Sequence, residues 1–192
     1  MRLFVALPLP PRVLDEIEEF IAPLRTGWPD LKWLRRDLMH VTLTFLGEVD
    51  DRTLDWLPPR LERAARRYDP LTLSLAGAGA FPGGGAHARV LWTGLYGDRR
   101  TLVRLAASVA AAGTRAGSPF GEHRAFRPHL TLARCRRPTD VRPLLDDLSA
   151  FAGSPWTADS ICLVRSHLGG QVRHETLKTW SLGRPGTPAV PS

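Results

Sequence analysis

One tetrapeptide pattern occurs twice in this chain: HVTL at residues 40–43 returns as HLTL at residues 129–132. Each copy lies in a strand-like segment, which follows an apolar stripe of helical period and precedes a second such stripe and two further strands. An order of elements that recurs in this way indicates internal duplication. We therefore predict an α+β fold of two related lobes, with two antiparallel sheets facing a central groove and helices on the outside.

The apolar periodicity also predicts where the individual elements lie. Strands are expected at 2–7, 32–47, 71–81, 89–96, 128–135, 159–166 and 174–182, and helices at 101–115, at 139–151 and in two earlier segments that begin near Pro11 and Thr53. The pair Pro58 and Pro59 is expected to kink the second helix or to mark its true start, because proline lacks the backbone amide that an interior helical turn needs. Residues 1–183 are predicted to form a single bilobal domain, and the proline-rich segment 184–192 a disordered tail.

The composition is that of a globular protein with a basic surface. Apolar residues make up 43% of the chain, no apolar run reaches the ~20 residues of a membrane-spanning helix, and the opening segment does not resemble a signal peptide. We expect a soluble cytoplasmic monomer, with Cys135 and Cys162 as two reduced thiols. Lysine and arginine number 26 against 19 acidic residues, and nearly all of them are arginine, whose planar donors suit phosphate. A GC-rich genome produces the same bias, so the charge only permits a nucleic-acid partner.

Alternation along the two motif strands separates polar from apolar side chains. It predicts that His40, Thr42 and Thr44 share one face of the first strand, opposite Val41, Leu43 and Phe45. In the second strand, it places His129 and Thr131 opposite Leu130 and Leu132. If the lobes are related by an approximate two-fold axis, the groove receives two imidazoles and two hydroxyls.

This set of side chains suits displacement at phosphorus. Histidine titrates near neutrality, so one imidazole can take a proton from water while the other gives a proton to the departing oxygen. The hydroxyls of Thr42 and Thr131 can hydrogen-bond the non-bridging phosphate oxygens, where charge develops. The reaction needs no metal or other cofactor, and neither motif supplies a third or fourth metal ligand at the usual spacing.

The remaining histidines and the glycine-rich segment predict no second site. His87, His123, His167 and His174 lie in loops or flank the last hairpin, and we expect them to be exposed to solvent. The segment GAFPGGG lacks the Gly-Lys-Ser/Thr ending of a phosphate-binding loop, so a hairpin loop is predicted instead.

Several stretches together resemble the 2H phosphoesterase superfamily, and within it the bacterial and archaeal RNA 2′,3′-cyclic phosphodiesterases, historically named 2′-5′ RNA ligases. They are RLFVALPLP, HVTLTFLGEV, GAFPGGGAHARVLWTGL, FRPHLTLAR and the closing LVRSHLGG and HETLKTWSL. The resemblance runs in order to about Leu182. At the last strand, the chain has His174 where the family often has an aromatic residue.

The resemblance implies a bilobal fold and metal-independent hydrolysis of a terminal 2′,3′-cyclic phosphate on RNA to a 2′-phosphate, with 2′-5′ ligation as the reverse chemistry. It makes His40 the proton donor and His129 the proton acceptor, although the residues alone do not decide which is which. Arg127 and Arg134 also match the family pattern. Alternation places Arg127 on the face of His129, as a candidate phosphate contact, and Arg134 on the opposite face.

Two other functions remain open at this stage. The same four motif residues would serve a cyclic phosphodiesterase for a small nucleotide, such as ADP-ribose cyclic phosphate. A non-catalytic RNA-binding module would not need two acid–base groups. Aromatic residues at the groove could stack on bases; Trp33, Phe126 and Trp180 are candidates, although we expect core packing for each. The physiological RNA and its terminal base are not predicted by the sequence.

Overall fold

The computed structural model describes residues 1–119 and 126–183, so the predicted disordered tail at 184–192 lies outside the described residues. The helices are Pro11–Gly27 (α1), Asp51–Ala65 (α2), Arg99–Ala116 (α3) and Arg142–Ser149 (α4). The strands are Arg2–Leu7 (β1), Leu31–Trp33 (β2), Val41–Glu48 (β3), Leu71–Phe81 (β4), Ala88–Gly97 (β5), His129–Thr139 (β6), Trp156–Ala158 (β7), Ser160–His167 (β8) and Arg173–Ser181 (β9). Within the described residues, no helix is both long and apolar enough to cross a bilayer.

The strands form two antiparallel sheets, which confirms the predicted fold class. The first sheet has the order β3-β1-β8-β9, and the second has the order β2-β6-β5-β4-β7. β3 and β6, which carry the two His-x-Thr motifs, lie in different sheets and touch each other. The duplicated motif is therefore brought together at the junction of the two sheets.

One continuous core holds the helices against the sheets. Its centre includes fully buried side chains from both halves of the chain, such as Ile17 of α1, Leu57 of α2 and Leu105 of α3. A second, smaller cluster lies apart from it on the first sheet and consists of Phe4, Ala6, Cys162 and Val164. Because β-strand side chains alternate between faces, this second cluster marks the other face of that sheet. Both cysteines are buried free thiols, as expected.

Two element predictions are corrected by the structure. The segment 32–47 is not one strand, because β2 ends at Trp33 and a 3₁₀ turn at Arg36–Leu38 separates it from β3. The second helix runs through Pro58 and Pro59, so the alternative that these prolines mark its start is wrong. It begins after Asp50, whose carboxylate accepts a hydrogen bond from the Thr53 amide at 2.8 Å and so caps the first turn.

Candidate active site

His40 lies directly before β3 and is packed between aromatic rings. Its imidazole stacks on Phe4 with ring centres 4.7 Å apart, and the ring of His174 lies edge-on to it at 5.0 Å. Burial lowers the pKa of His40 to about 4, and nearby positive charge, first that of His174, acts in the same direction. At neutral pH, the imidazole of His40 is therefore uncharged.

His129 is the first residue of β6, and its ring is held by the chain just before it. Its Nδ1 lies 2.6 Å from the backbone carbonyl oxygen of Arg127. A carbonyl oxygen can only accept a hydrogen bond, so Nδ1 carries the hydrogen and Nε2 remains free for proton transfer. Burial lowers the pKa of His129, and the bond to Arg127 offsets part of that effect.

The same local arrangement occurs at the first motif. A backbone hydrogen bond at Leu38, two residues before His40, acts on the His40 ring and raises its pKa, just as Arg127, two residues before His129, does in the second motif. His129 and the Arg134 guanidinium both lower the pKa of His40. The two imidazoles are therefore close enough to interact electrostatically across the groove.

A β-bulge follows the threonine in each motif strand and reverses the alternation beyond it. In β3 the register shifts between Thr42 and Thr44, and in β6 it shifts between Thr131 and Ala133. An extra residue in one strand turns the following side chains to the other face. The fifth residue after each histidine, Phe45 or Arg134, therefore shares the face of that histidine.

Three expectations from simple alternation are wrong for this reason. Thr44 is buried in the core at 1% exposure, and Phe45 is 38% exposed with its ring centre 6.1 Å from that of Phe4. Arg134 lies on the face of His129 and not opposite it, and its positive charge lowers the pKa of both catalytic candidates. The run of two adjacent buried residues, Leu132 and Ala133, is the structural sign of the bulge.

The threonines of the motifs lie where alternation predicts. Thr42 is paired with Ala6, which belongs to the small cluster on the groove face of the first sheet. Thr131 is paired with Trp92 of β5. Both threonines are partly exposed, so both hydroxyls remain accessible on the side of the sheets that carries the histidines.

Arg127 and two aromatic residues surround His129 on the second sheet. The ring centre of Phe81 lies 5.1 Å from that of His129, and the ring of Trp92 lies 6.1 Å away. The Arg127 guanidinium is exposed and is centred 6.0 Å from the Phe81 ring. These residues line a cavity of about 370 Å³ that opens beside His129.

The remaining histidine and aromatic predictions divide into two groups. His174 is half-buried against His40 and Phe4, which contradicts the expectation of a solvent-exposed side chain. His87 is exposed, as expected, and His123 lies outside the described residues. His167 is only 23% exposed, which differs from the expectation, and it pairs with Glu175 at 2.7 Å. Trp33, Phe126 and Trp180 pack on the core, as expected.

Aromatic residues of the groove that the sequence did not predict include Phe45, Phe81 and Trp92. Phe45 could have been found only by foreseeing the bulge in β3. Phe81 and Trp92 lie next to His129 because of strand pairing between distant segments. Within residues 1–119 and 126–183, no three His, Cys, Asp or Glu side chains are grouped so that they could hold a metal ion.

The sequence matches the model of the 2′-5′ RNA ligase superfamily over residues 13–170. The RNA 2′,3′-cyclic phosphodiesterase of Thermus thermophilus is 34% identical over 177 residues, which cover 88% of this chain and 83% of that protein. The protein of the same name from Escherichia coli is 30% identical over 187 residues, which cover 94% of this chain and 96% of that protein.

Solved structures agree with the sequence relatives. The crystal structure of E. coli LigT in its apo form has a TM-score of 0.74 and 27% sequence identity to this chain, and covers 95% of this chain and 98% of that one. The structure of E. coli LigT complexed with 3′-AMP gives a TM-score of 0.73 at the same identity and coverage.

Proposed function

Because the chain belongs to the 2′-5′ RNA ligase superfamily, we propose that it is an RNA 2′,3′-cyclic phosphodiesterase that opens a terminal cyclic phosphate to a 2′-phosphate. The observation that carries this proposal is the meeting of two imidazoles from different sheets at one groove. One of them, His129, has its Nδ1 held by a backbone carbonyl and its Nε2 free. A pair of this kind suits proton transfer on both sides of a phosphorus atom.

In the proposed step, His129 removes a proton from water as the water oxygen attacks phosphorus. The bond from phosphorus to the 3′ oxygen breaks, and His40 protonates that oxygen as it leaves. The product keeps the phosphate on the 2′ oxygen, and one proton has moved from His129 to solvent and one from solvent to His40 by the end of the cycle. No metal ion or cofactor takes part in this scheme.

Four neighbouring side chains are proposed to hold the phosphate. The hydroxyls of Thr42 and Thr131 lie on the face of the histidines and can donate to the non-bridging oxygens. Arg127 lies beside His129, and Arg134 acts electrostatically on both imidazoles. Hydrogen-bond donors and cations aimed at developing negative charge are typically the largest contribution to such a reaction.

The protonation states of the two histidines suit an anionic substrate. Burial lowers the pKa of both His40 and His129, so both imidazoles are predominantly uncharged at neutral pH. A phosphodiester anion placed between the rings raises the pKa of both, since an opposite charge stabilises the protonated form. We infer that substrate binding is accompanied by uptake of one proton from solvent onto His40, which gives that proton to the leaving 3′ oxygen while His129 takes another from the attacking water.

Ligation is the same chemistry run with a different nucleophile. If a 5′-hydroxyl replaces water, attack on the cyclic phosphate forms a 2′-5′ linkage. Water is present at ~55 M, so mass action favours hydrolysis in dilute solution. The basic composition, with 26 lysine and arginine residues against 19 acidic ones, is compatible with an RNA substrate.

The proposal is tested with a short RNA that ends in a 2′,3′-cyclic phosphate, incubated with the purified protein in excess EDTA. We expect a 2′-phosphate product, identified against 2′- and 3′-phosphate standards. His40→Ala and His129→Ala should each reduce turnover by about 10²-fold or more. His87→Ala, which removes an exposed imidazole from the loop between β4 and β5, is the matched control and should leave turnover unchanged.

Other outcomes have defined meanings. If the protein does not hydrolyse the RNA but opens a small cyclic nucleotide, the proposed reaction is supported and the proposed RNA substrate is wrong. A 3′-phosphate product would contradict the proposed bond cleavage. If RNA binds but nothing is cleaved with or without divalent metal, the chain is a binding module.

A further inference from the structure

The cavity beside His129 is built on β5 and has an open floor. Gly94 is the residue of β5 that pairs directly with His129, and it contributes no side chain to the space next to the imidazole. Trp92 and Tyr96 lie two residues to either side of Gly94 on the same strand face. A Cβ atom built on Gly94 would lie 3.2 Å from the Ala76 carbonyl oxygen, 3.7 Å from Tyr96 and 3.8 Å from Trp92. Both aromatic rings therefore border the part of the cavity that lies over Gly94.

A glycine of the neighbouring strand β4 allows the Trp92 ring to lie close to the backbone. A Cβ atom on Gly79 would be 2.1, 2.3 and 2.6 Å from three atoms of the Trp92 ring. Three short distances of this kind place the indole directly over the Gly79 backbone. A Cβ atom on Gly77 would make only an ordinary contact with the Tyr96 hydroxyl, at 3.8 Å. Gly79 thus lets the Trp92 indole lie on the strand backbone, so that this ring can border a flat ligand.

The cavity is also basic and accessible. Arg99, the first residue of α3, and Arg127 contribute guanidinium groups to its lining. Tyr96, the second-to-last residue of β5, is 57% exposed, so its ring is open to a ligand. Aromatic rings next to arginine are the features that proteins use to bind single-stranded nucleic acid, because every base has a stacking face.

The geometry of in-line displacement indicates whether this cavity lies on the side of the terminal nucleoside or on the side of the attacking nucleophile. The attacking and leaving oxygens lie on opposite sides of phosphorus, and the terminal ribose is attached through the leaving 3′ oxygen. With His40 serving the leaving oxygen, the terminal nucleoside lies on the side of His40. The cavity is lined by His129, which serves the attacking oxygen, whereas the rings packed on His40 belong to the other sheet.

We propose that this cavity is an acceptor subsite, which binds the nucleoside whose 5′-hydroxyl takes the place of water. Its base stacks at Trp92 and Tyr96, and Arg99 attracts the phosphate on its 3′ side. This inference rests on the proposed function, because it uses the same phosphorus and the same two histidines. Water leaves the subsite empty during hydrolysis, so the subsite contributes to the joining and cleavage of 2′-5′ linkages and not to hydrolysis.

Both directions of the reaction are balanced without another reactant. In joining, the 5′ oxygen attacks phosphorus and loses its proton to His129, while the bond to the 3′ oxygen breaks and His40 protonates that oxygen. In cleavage, the 3′-hydroxyl loses its proton to His40 and attacks phosphorus. The bond to the 5′ oxygen then breaks, and His129 protonates it. The products are a 2′,3′-cyclic phosphate and a nucleoside with a free 5′-hydroxyl.

The test compares two reactions in one set of variants. kcat/KM is measured for cleavage of adenylyl-(2′→5′)-adenosine 3′-phosphate and for hydrolysis of adenosine 2′,3′-cyclic phosphate. We expect Tyr96→Ala to lower the first value about tenfold, the range for loss of one base-stacking contact, and to change the second less than twofold. Arg99→Gln should lower the first value only while the acceptor carries its 3′-phosphate. Trp56→Ala is the matched control, since Trp56 is 55% exposed on α2 and also has an arginine, Arg60, 5.3 Å from its ring.

Each alternative result overturns a specific statement. If Tyr96→Ala lowers both values equally, the cavity holds the terminal nucleoside and the acceptor subsite is wrong. If the wild type hydrolyses the cyclic phosphate but does not cleave the dinucleotide, the subsite is wrong and the proposed function stands. If the wild type acts on neither substrate, nor on a cyclic-phosphate RNA, the proposed function fails and the subsite fails with it.

Discussion

The neutral, buried imidazole of His40 makes the stability of the protein depend on pH in a predictable way. Its pKa is lowered from the ordinary 6.5 to about 4, chiefly by burial. The unfolded chain therefore binds a proton at this position between pH 6.5 and pH 4, whereas the folded chain does not. Stability rises with pH wherever the unfolded state binds more protons. Acidification through this window should accordingly destabilise the fold.

The size of the effect follows from the shift in pKa. One pKa unit corresponds to about 1.4 kcal/mol, so the full shift at His40 corresponds to about 3.4 kcal/mol, which is reached below pH 4. Between pH 7 and pH 5, the contribution to the free energy of unfolding falls by about 1.8 kcal/mol. At pH 5 most carboxylates are still ionised, so this interval separates the histidine effect from general acid denaturation.

The assay is urea unfolding at pH 7 and pH 5 for the wild type and for His40→Gln, which has no titrating group at this position. We expect the wild type to lose about 1.8 kcal/mol more than the variant over this interval. His87→Gln, which removes an exposed imidazole, provides the comparison for loss of a histidine outside the groove. Equal losses in the wild type and in His40→Gln would refute the argument that burial keeps this imidazole neutral.

Three further predictions concern the proposed reaction. kcat/KM for cyclic phosphate hydrolysis should pass through a maximum below pH 6.5 and then fall about tenfold per pH unit. The reason is that the reactive pair of histidines holds one proton and that the pKa values of both histidines are lowered. A plateau that extends to pH 8 would contradict this prediction. Replacing the 3′ oxygen of the substrate by sulfur should restore turnover in His40→Ala but not in His129→Ala, since a thiolate leaves without an acid, and the opposite pattern would exchange the two roles. Arg134→Gln should raise KM and move the pH maximum upward, because the Arg134 charge lowers the pKa of both histidines; an unchanged profile in steady-state kinetics would place Arg134 outside the groove.

Much of the fold could be predicted from the sequence because the strands have simple periodicity. The predicted segment 71–81 coincides with β4, and the predicted strand 2–7 coincides with β1. The segment 32–47 was wrong because apolar and basic residues continue through the 3₁₀ turn without a glycine or proline to mark it. Pro58 and Pro59 lie inside α2, where tertiary packing of Leu57 and Leu61 in the core outweighs the local cost of two missing amide donors.

The candidate site was less predictable than the fold because bulges and strand pairing between distant segments determine which side chains line it. Alternation places Thr42 and Thr131 correctly, because they lie before the bulges. It fails beyond them, for Phe45 and Arg134, since a bulge is created by the register of a partner strand and leaves no composition signal in its own strand. The aromatic walls beside His129 come from β4 and β5, which only strand pairing brings next to β6.

The duplicated motif raises the question of how two equivalent histidines can have different tasks. The histidine, the threonine and the bulge recur in both strands, so the two imidazoles occupy equivalent positions relative to the backbone. The fifth residue after the histidine differs: it is the aromatic ring of Phe45 in one lobe and the cation of Arg134 in the other. The partners of the imidazoles differ as well, since Phe4 and His174 enclose His40, whereas an open cleft with Arg127 at its edge borders His129. An enclosed imidazole excludes a second nucleophile, and an imidazole beside a cleft admits one. The proposed division into acid and base would therefore arise from the neighbours of the repeat and not from the repeat itself.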